Sequence, residues 1–167
     1  MDKVNYVKQE HLNGCVVASL AMVLGKSYTE VHDEIAPLVW WYDYELAKNE
    51  FKDNEERTEA CWKKGIDFSE RGITLDDAYR WLGERGWASQ LRYKVYPFDW
   101  KARREDWPPK PWAPIHLCSV QATRGSHAIV MLRDGSLLDP WRPPGTWCGT
   151  FDEYSKVEQV CGLWKVY

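Results

Sequence analysis

Long hydrophobic runs are missing from this sequence: no stretch approaches the roughly 20 apolar residues needed to span a bilayer, so no membrane partner is expected. A dominant charge is missing too. The formal net charge of −3 gives no electrostatic reason to expect nucleic acid or an anionic membrane surface. The opening MDKVNYVKQEH has no apolar h-region, so no secretory signal is visible. There is no C-x-x-C pair and no H-x3–5-H, so Cys118, Cys148, Cys161 and His116 make a weak zinc signal and no metal is expected. No glycine-rich phosphate loop or dinucleotide fingerprint occurs, and no cofactor is expected. Repeats and low-complexity tracts are absent as well.

What remains fits a single domain over residues 1–167, large enough for a sizeable core. The five cysteines (Cys15, Cys61, Cys118, Cys148, Cys161) are odd in number and widely spaced, which argues for a reducing cytoplasm rather than a disulfide framework. The 11 tryptophans are the compositional outlier. Trp100, Trp107, Trp112, Trp141 and Trp147 fall in polar or proline-rich surroundings, where they suggest either the aromatic walls of a groove or platforms for wide loops.

The organising stretch is QEHLNGCVVASLAMVLG, from Gln9 to Gly25. From Cys15 to Leu24 every residue except Ser19 is apolar, which places this helix inside a domain. Asn13 and Gly14 offer cap and turn chemistry before it, and Gly25 suits the left-handed residue that closes a helix. Cys15 then sits on the first turn, where unpaired N–H groups and the helix dipole favour a thiolate. Gln9, six residues upstream, is near enough to aim its amide at the same spot as the Cys15 N–H, as an oxyanion hole requires. The plainer reading of Cys15 is a small core hydrophobe, as most free cysteines are.

Further along, Ser27 and Glu30 read as a capping box for a short helix through Val31 and Ile35, stopped by Pro37. Residues 40–71 open aromatic, become highly charged and read as mostly helical to about Lys64. Thr74 caps a helix on which Leu75, Ala78, Tyr79 and Leu82 recur at helical spacing, ended by Gly83 or Gly86. From Trp87 the character changes. Ser89 to Tyr96 alternates as a strand does, and the tryptophan- and proline-rich segment 97–114, with four prolines from Asp99 to Pro114, forms a long surface loop. Ile115–Val120 and His127–Leu132 read as strands about a break at Gly125, and Leu137–Asp139 returns after Asp134-Gly135. Phe151 to Val157 reads as a short helix, and Cys161 to Tyr167 as a final strand. Helices first and an antiparallel sheet after them make an α+β order.

A nucleophilic cysteine needs a histidine base and a third group to orient it. His11 lies on the approach loop and His32 on a charged helix face, which leaves His116 and His127. His127 opens a strand after Gly125-Ser126, where its side chain can face a cleft, and Asp139 follows on the paired strand. A two-residue turn at Asp134-Gly135 sets Asp139 opposite Val130, facing away from His127. A three-residue loop, Arg133 to Gly135 with Gly135 left-handed, sets it opposite Ile129 instead, the diagonal neighbour of His127 at roughly 7–8 Å. A triad therefore requires the three-residue loop; otherwise His116 and His127 simply fill alternate faces of a sheet.

With these residues in place, the chain resembles the C39-like branch of papain-like cysteine peptidases. The matching pieces are Gln9 six residues before Cys15, the block GCVVASLAMVLG, the GITLDDA helix at 72–78 and SHAIVMLRDGSLLDP. The resemblance implies a papain-like α+β fold with the nucleophile helix packed on the antiparallel sheet. It also implies Cys15 as nucleophile, His127 as base, Asp139 as orienting acid and Gln9 as oxyanion residue. Val16 stands where many members have glycine, and no transporter is attached. The expected activity is hydrolysis of a peptide or isopeptide bond in a peptide or protein substrate, with Trp107, Trp112, Trp141, Asn13, Gly125 and Ser126 lining the groove. Transglutaminase-like or deamidating acyl transfer uses the same triad. A non-catalytic tryptophan-rich binding module is the reading from another class.

Overall fold

The computed structural model describes residues 4–11, 13–36, 72–94, 111–123, 125–142 and 151–166. The expectations for residues 40–71, for the loop over most of 97–114 including Trp107, for Pro37, Cys61 and Cys148, and for the turn at 143–145 lie outside them.

The first helix, α1 (Cys15–Leu24), is buried from Val16 to Val23, as a segment without a polar face must be. Gly25 closes it at φ +67°, its N–H donating to the Ala21 carbonyl. At the other end the cap is Gly14, and no side chain caps the helix. A Cβ on Gly14 would stand 2.2 Å from the Tyr28 hydroxyl, so only glycine lets the second helix approach here. That helix, α2, runs over residues 28–36. The expected capping box starts it: the Ser27 N–H donates to Glu30 at 2.8 Å and the Glu30 N–H to the Ser27 hydroxyl at 3.3 Å. In α3 (Leu75–Gly83) the Asp77 N–H donates to the Thr74 hydroxyl at 3.1 Å, and Ala78, Trp81 and Leu82 turn inward.

Five strands follow: β1 (Trp87–Lys94), β2 (Ile115–Ala122), β3 (Gly125–Leu132), β4 (Leu137–Leu138) and β5 (Lys156–Lys165). They form one antiparallel sheet in the order β1-β5-β2-β3-β4, so the last strand of the chain lies between the first two. Among the described residues the fold is thus α+β, with three N-terminal helices and a C-terminal five-stranded sheet. Alternation along β2 and β3 divides the core into two layers. Ile115, Leu117, Ala128 and Val130 pack with α1, α2 and α3, while Cys118, Val120, Ile129 and Met131 pack with Phe151, Tyr154, Val157 and Val160. Fully buried Leu20 and Leu82 each contribute about 1.5–3 kcal/mol of transfer free energy to the helical layer.

Several boundaries differ from the sequence reading. Gly125 does not break the chain but opens β3, pairing with Ala122 at φ +120°. The helix expected over Phe151 to Val157 is a single 3-10 turn, Phe151–Glu153, and β5 begins at Lys156. Val157 and Val160 must be buried under the sheet, and a strand with a bulge between them achieves this. β1 starts at Trp87, two residues early. Among the described residues no helix is long and apolar enough to cross a membrane.

Candidate active site

The Leu132 N–H donates to the Ser136 carbonyl (2.9 Å) and the Gly135 N–H to the Leu132 carbonyl (3.0 Å), closing a loop of Arg133, Asp134 and Gly135. Gly135 sits at φ +87°. This is the three-residue loop that a triad requires. Val130 pairs with Leu138, so one further step along the register sets Asp139 opposite Ile129 and diagonal to His127. The side chains close the remaining gap: His127 Nε2 donates to Asp139 Oδ1 at 2.7 Å, and the two side chains are only 10% and 5% exposed.

The thiol arrives from the helical layer. β4 pairs with β3 only at Val130 and Met131, so the strand edge beside Ala128 is left to another partner. Backbone groups two residues apart in a strand point the same way, so the polar groups of Ala128, like those of Val130, face that edge. There α1 supplies the partners. The Ser19 hydroxyl donates to the Ala128 carbonyl at 3.3 Å, and the Ala128 backbone N–H is directed at the Cys15 sulfur. The His127 imidazole also lies within side-chain hydrogen-bond reach of Cys15. With Nε2 engaged by Asp139, Nδ1 is the nitrogen left to face the thiol.

The charges follow from these contacts. Burial pushes the Cys15 thiol up, but the His127 imidazole and the N–H groups of Ala128 and Val16 together outweigh it, and the thiol sits below its ordinary value. Burial alone would hold His127 neutral; hydrogen bonds and charges from Asp139 and Cys15 raise it to about 9. Asp139 is pushed up by burial and brought below the usual carboxylate range by His127, the Trp141 N–H and the Tyr154 hydroxyl. The three groups thus favour thiolate, imidazolium and carboxylate side by side. Such a thiolate can attack an electrophilic carbon, and the imidazolium can protonate a leaving group.

Asp139 is itself held in place. Its Oδ1 accepts the Trp141 N–H at 2.8 Å, and its Oδ2 accepts the Tyr154 hydroxyl at 2.8 Å and lies 3.5 Å from Arg142 Nε. The Tyr6 hydroxyl donates to the Arg142 and Pro140 carbonyls, and the Gln9 N–H donates to the Pro140 carbonyl at 3.0 Å. Tyr6, Arg142 and Tyr154 were missed from the sequence. Tyr6 and Tyr154 meet backbone carbonyls or a carboxylate remote in sequence, which no local spacing announces, whereas Arg142 stands only three residues after Asp139.

A cleft of about 770 Å³ opens onto this triad. Cys15, His127 and Asp139 line it together with Asn13, Gly125, Ser126 and Trp141. Trp141 is 46% exposed and stands edge-on to the His127 ring at 6.5 Å. Gln9 is buried, its Nε2 donating to the His11 carbonyl at 3.0 Å, and it is not among the described residues lining the cleft. Trp112 belongs elsewhere. It packs on the second core layer at 4.6 Å from the His116 ring, so its half-buried position serves packing rather than the groove. His116 is sealed off too: its Nε2 accepts the Trp112 and Ala113 N–H groups, leaving Nδ1 to donate to Met131, and burial lowers its pKa. The cross-strand pairs Val120–His127 and His116–Met131 put both histidines at positions of the same face, not alternate ones.

Among the described residues, no three histidine, cysteine, aspartate or glutamate side chains gather as a metal ion would need. No protein-family model matches the chain, and no curated protein matches it in sequence.

Proposed function

We propose that this chain is a papain-like, C39-like cysteine peptidase that hydrolyses a peptide or isopeptide bond through a Cys15–His127–Asp139 triad. The observation that carries the reading is the unbroken line from carboxylate to imidazole to thiol, joined across two core layers by one loop geometry. In the first half-reaction the Cys15 thiolate bonds to the carbonyl carbon. The Cys15 N–H receives the oxyanion, and Gln9 joins it only by turning its amide from the His11 carbonyl toward the cleft. The C–N bond then breaks as the His127 imidazolium gives its proton to the departing amine. In the second, neutral His127 takes a proton from water, the hydroxide displaces the thioester sulfur, and the acid leaves with the thiolate–imidazolium pair restored. Asn13, Gly125, Ser126 and Trp141 form the groove that receives the peptide.

Iodoacetamide at neutral pH tests this reading. Cys15 is expected to be alkylated much faster than Cys61 or Cys148, and Cys15→Ala to remove the fast phase while leaving the fold intact. A Cys15 that reacts no faster than those two thiols overturns the proposal.

A further inference from the structure

Behind two serines that line the cleft stands a carboxylate that the triad does not use and that is not itself among the described lining residues. Ser119 on β2 and Ser126 on β3 both line the cleft, and both hydroxyls donate to Glu158 of β5, at 2.6 Å and 3.2 Å. A bulge makes this possible. Ser119 pairs with Gln159 and Val120 with Val157, so Glu158 is an extra residue without a cross-strand partner. Consecutive residues of a regular strand point to opposite faces. Here Gln159 reaches the helical face, donating to the Tyr79 hydroxyl of α3 at 2.8 Å, and Glu158 reaches the serines of that same face. Bulges commonly re-aim a side chain beside a functional site.

Two consequences follow for a bound molecule. Each serine spends its one hydroxyl proton on Glu158, so it offers only lone pairs to the cleft. The cleft lining at Ser119 and Ser126 therefore accepts hydrogen bonds and does not give them. Glu158, behind the serines, also meets no cation among the described residues, whereas Arg142 and Glu153, which do line the cleft, are mutually neutralised. Ser119 pairs with Ala128, the residue whose N–H is directed at the Cys15 sulfur, so this negative site lies one strand from the nucleophile.

We infer that Glu158, with Ser119 and Ser126, forms a subsite for a cationic donor, a lysine ammonium or arginine guanidinium of the substrate next to the bond being cleaved. The inference rests on the peptidase reading above and adds a substrate class to it. An ammonium has three donors and no acceptor, which matches two serine oxygens backed by a carboxylate.

Two methanethiosulfonate reagents of opposite charge, 2-aminoethyl and 2-sulfonatoethyl, test the subsite directly on Cys15. Glu158→Gln is expected to lower the ratio of cationic to anionic modification rates about tenfold, with the neutral iodoacetamide rate kept within about twofold. A structural role for Glu158 alone leaves that ratio unchanged. In parallel, wild-type Cys15 is protected from iodoacetamide by short peptides carrying either lysine or acetyl-lysine at each position in turn. Lysine is expected to protect about tenfold better at one position at least, and this arm needs no variant to fold. Fast iodoacetamide alkylation with an unchanged charge ratio, or with equal protection by the two peptide series, overturns the subsite and leaves the peptidase reading standing. Slow alkylation of Cys15 in the wild type overturns both.

Discussion

His127 and Asp139 face each other because Gly135 takes a left-handed backbone and makes the intervening turn three residues long. Shortening that turn by one residue sends the carboxylate to the opposite face of the sheet. The site therefore depends on a glycine that touches none of its members.

Gly135→Val tests this dependence. A β-branched residue at φ +87° is strained by about 1–2 kcal/mol, and relief of that strain comes most directly from a changed turn. The denaturation midpoint and the Cys15 alkylation rate are expected to fall together. Gly135→Asn, which tolerates the left-handed region, is expected to retain most of both. A valine variant with full reactivity contradicts the account.

The pH profile follows from the direction of each shift. The half-maximal pH for Cys15 alkylation is expected below 9.0, and His127→Ala moves it up, since burial then acts without the imidazole to oppose it. His127 is raised from 6.5 to about 9 in the folded chain. Its charged form therefore stabilises the fold fully below about 6.5, and that contribution is lost as the pH rises through about 9. Thermal unfolding of wild type and a His127→Asn variant checks the sign: the difference attributable to the charge shrinks over that window. Hydrolysis is expected to decline through the same window as the imidazolium loses its proton.

Asp139→Asn preserves shape and removes charge. Without the carboxylate the imidazolium loses its strongest support, and hydrolysis is expected to fall between about a hundredfold and ten-thousandfold. Circular dichroism should show the fold intact, and the alkylation profile should shift to higher pH. An unchanged profile removes Asp139 from the mechanism.

Tyr154→Phe separates anchoring from chemistry. It deletes one hydrogen bond to a buried carboxylate, worth about 1.5–3 kcal/mol of stability. Because His127 and the Trp141 N–H still hold the other oxygen, the activity loss is expected to be much smaller than for Asp139→Asn. Chemical denaturation alongside kinetics measures both.

What could be read in advance was local. The Ser27–Glu30 box, the Thr74 cap and the Gly25 stop each depend on residues within four positions, and each stands where the spacing puts it. The turn from Arg133 to Gly135 was legible as a choice between two geometries, with only one compatible with a His127–Asp139 contact. Pairing was not legible. The alternation of Cys161 to Tyr167 predicts a strand but says nothing of its place between β1 and β2. The bulge at Glu158 breaks the alternation from which a strand over Val157 to Val160 would be recognised. Trp112 beside Pro111 and Pro114 reads as a groove wall, yet it lies over His116, because an indole ring fills a core gap as readily as it lines a surface.

The insertion of β5 between β1 and β2 bears on when the chain acquires its chemistry. The sulfur is made early by the ribosome, whereas the middle of the sheet that presents its imidazole is made late. A nascent chain lacking β5 lacks the strand that joins β1 to β2, and so has no completed sheet to hold His127 beside Cys15. On the peptidase reading, the reactivity of Cys15 is therefore expected to appear only once β5 is in place.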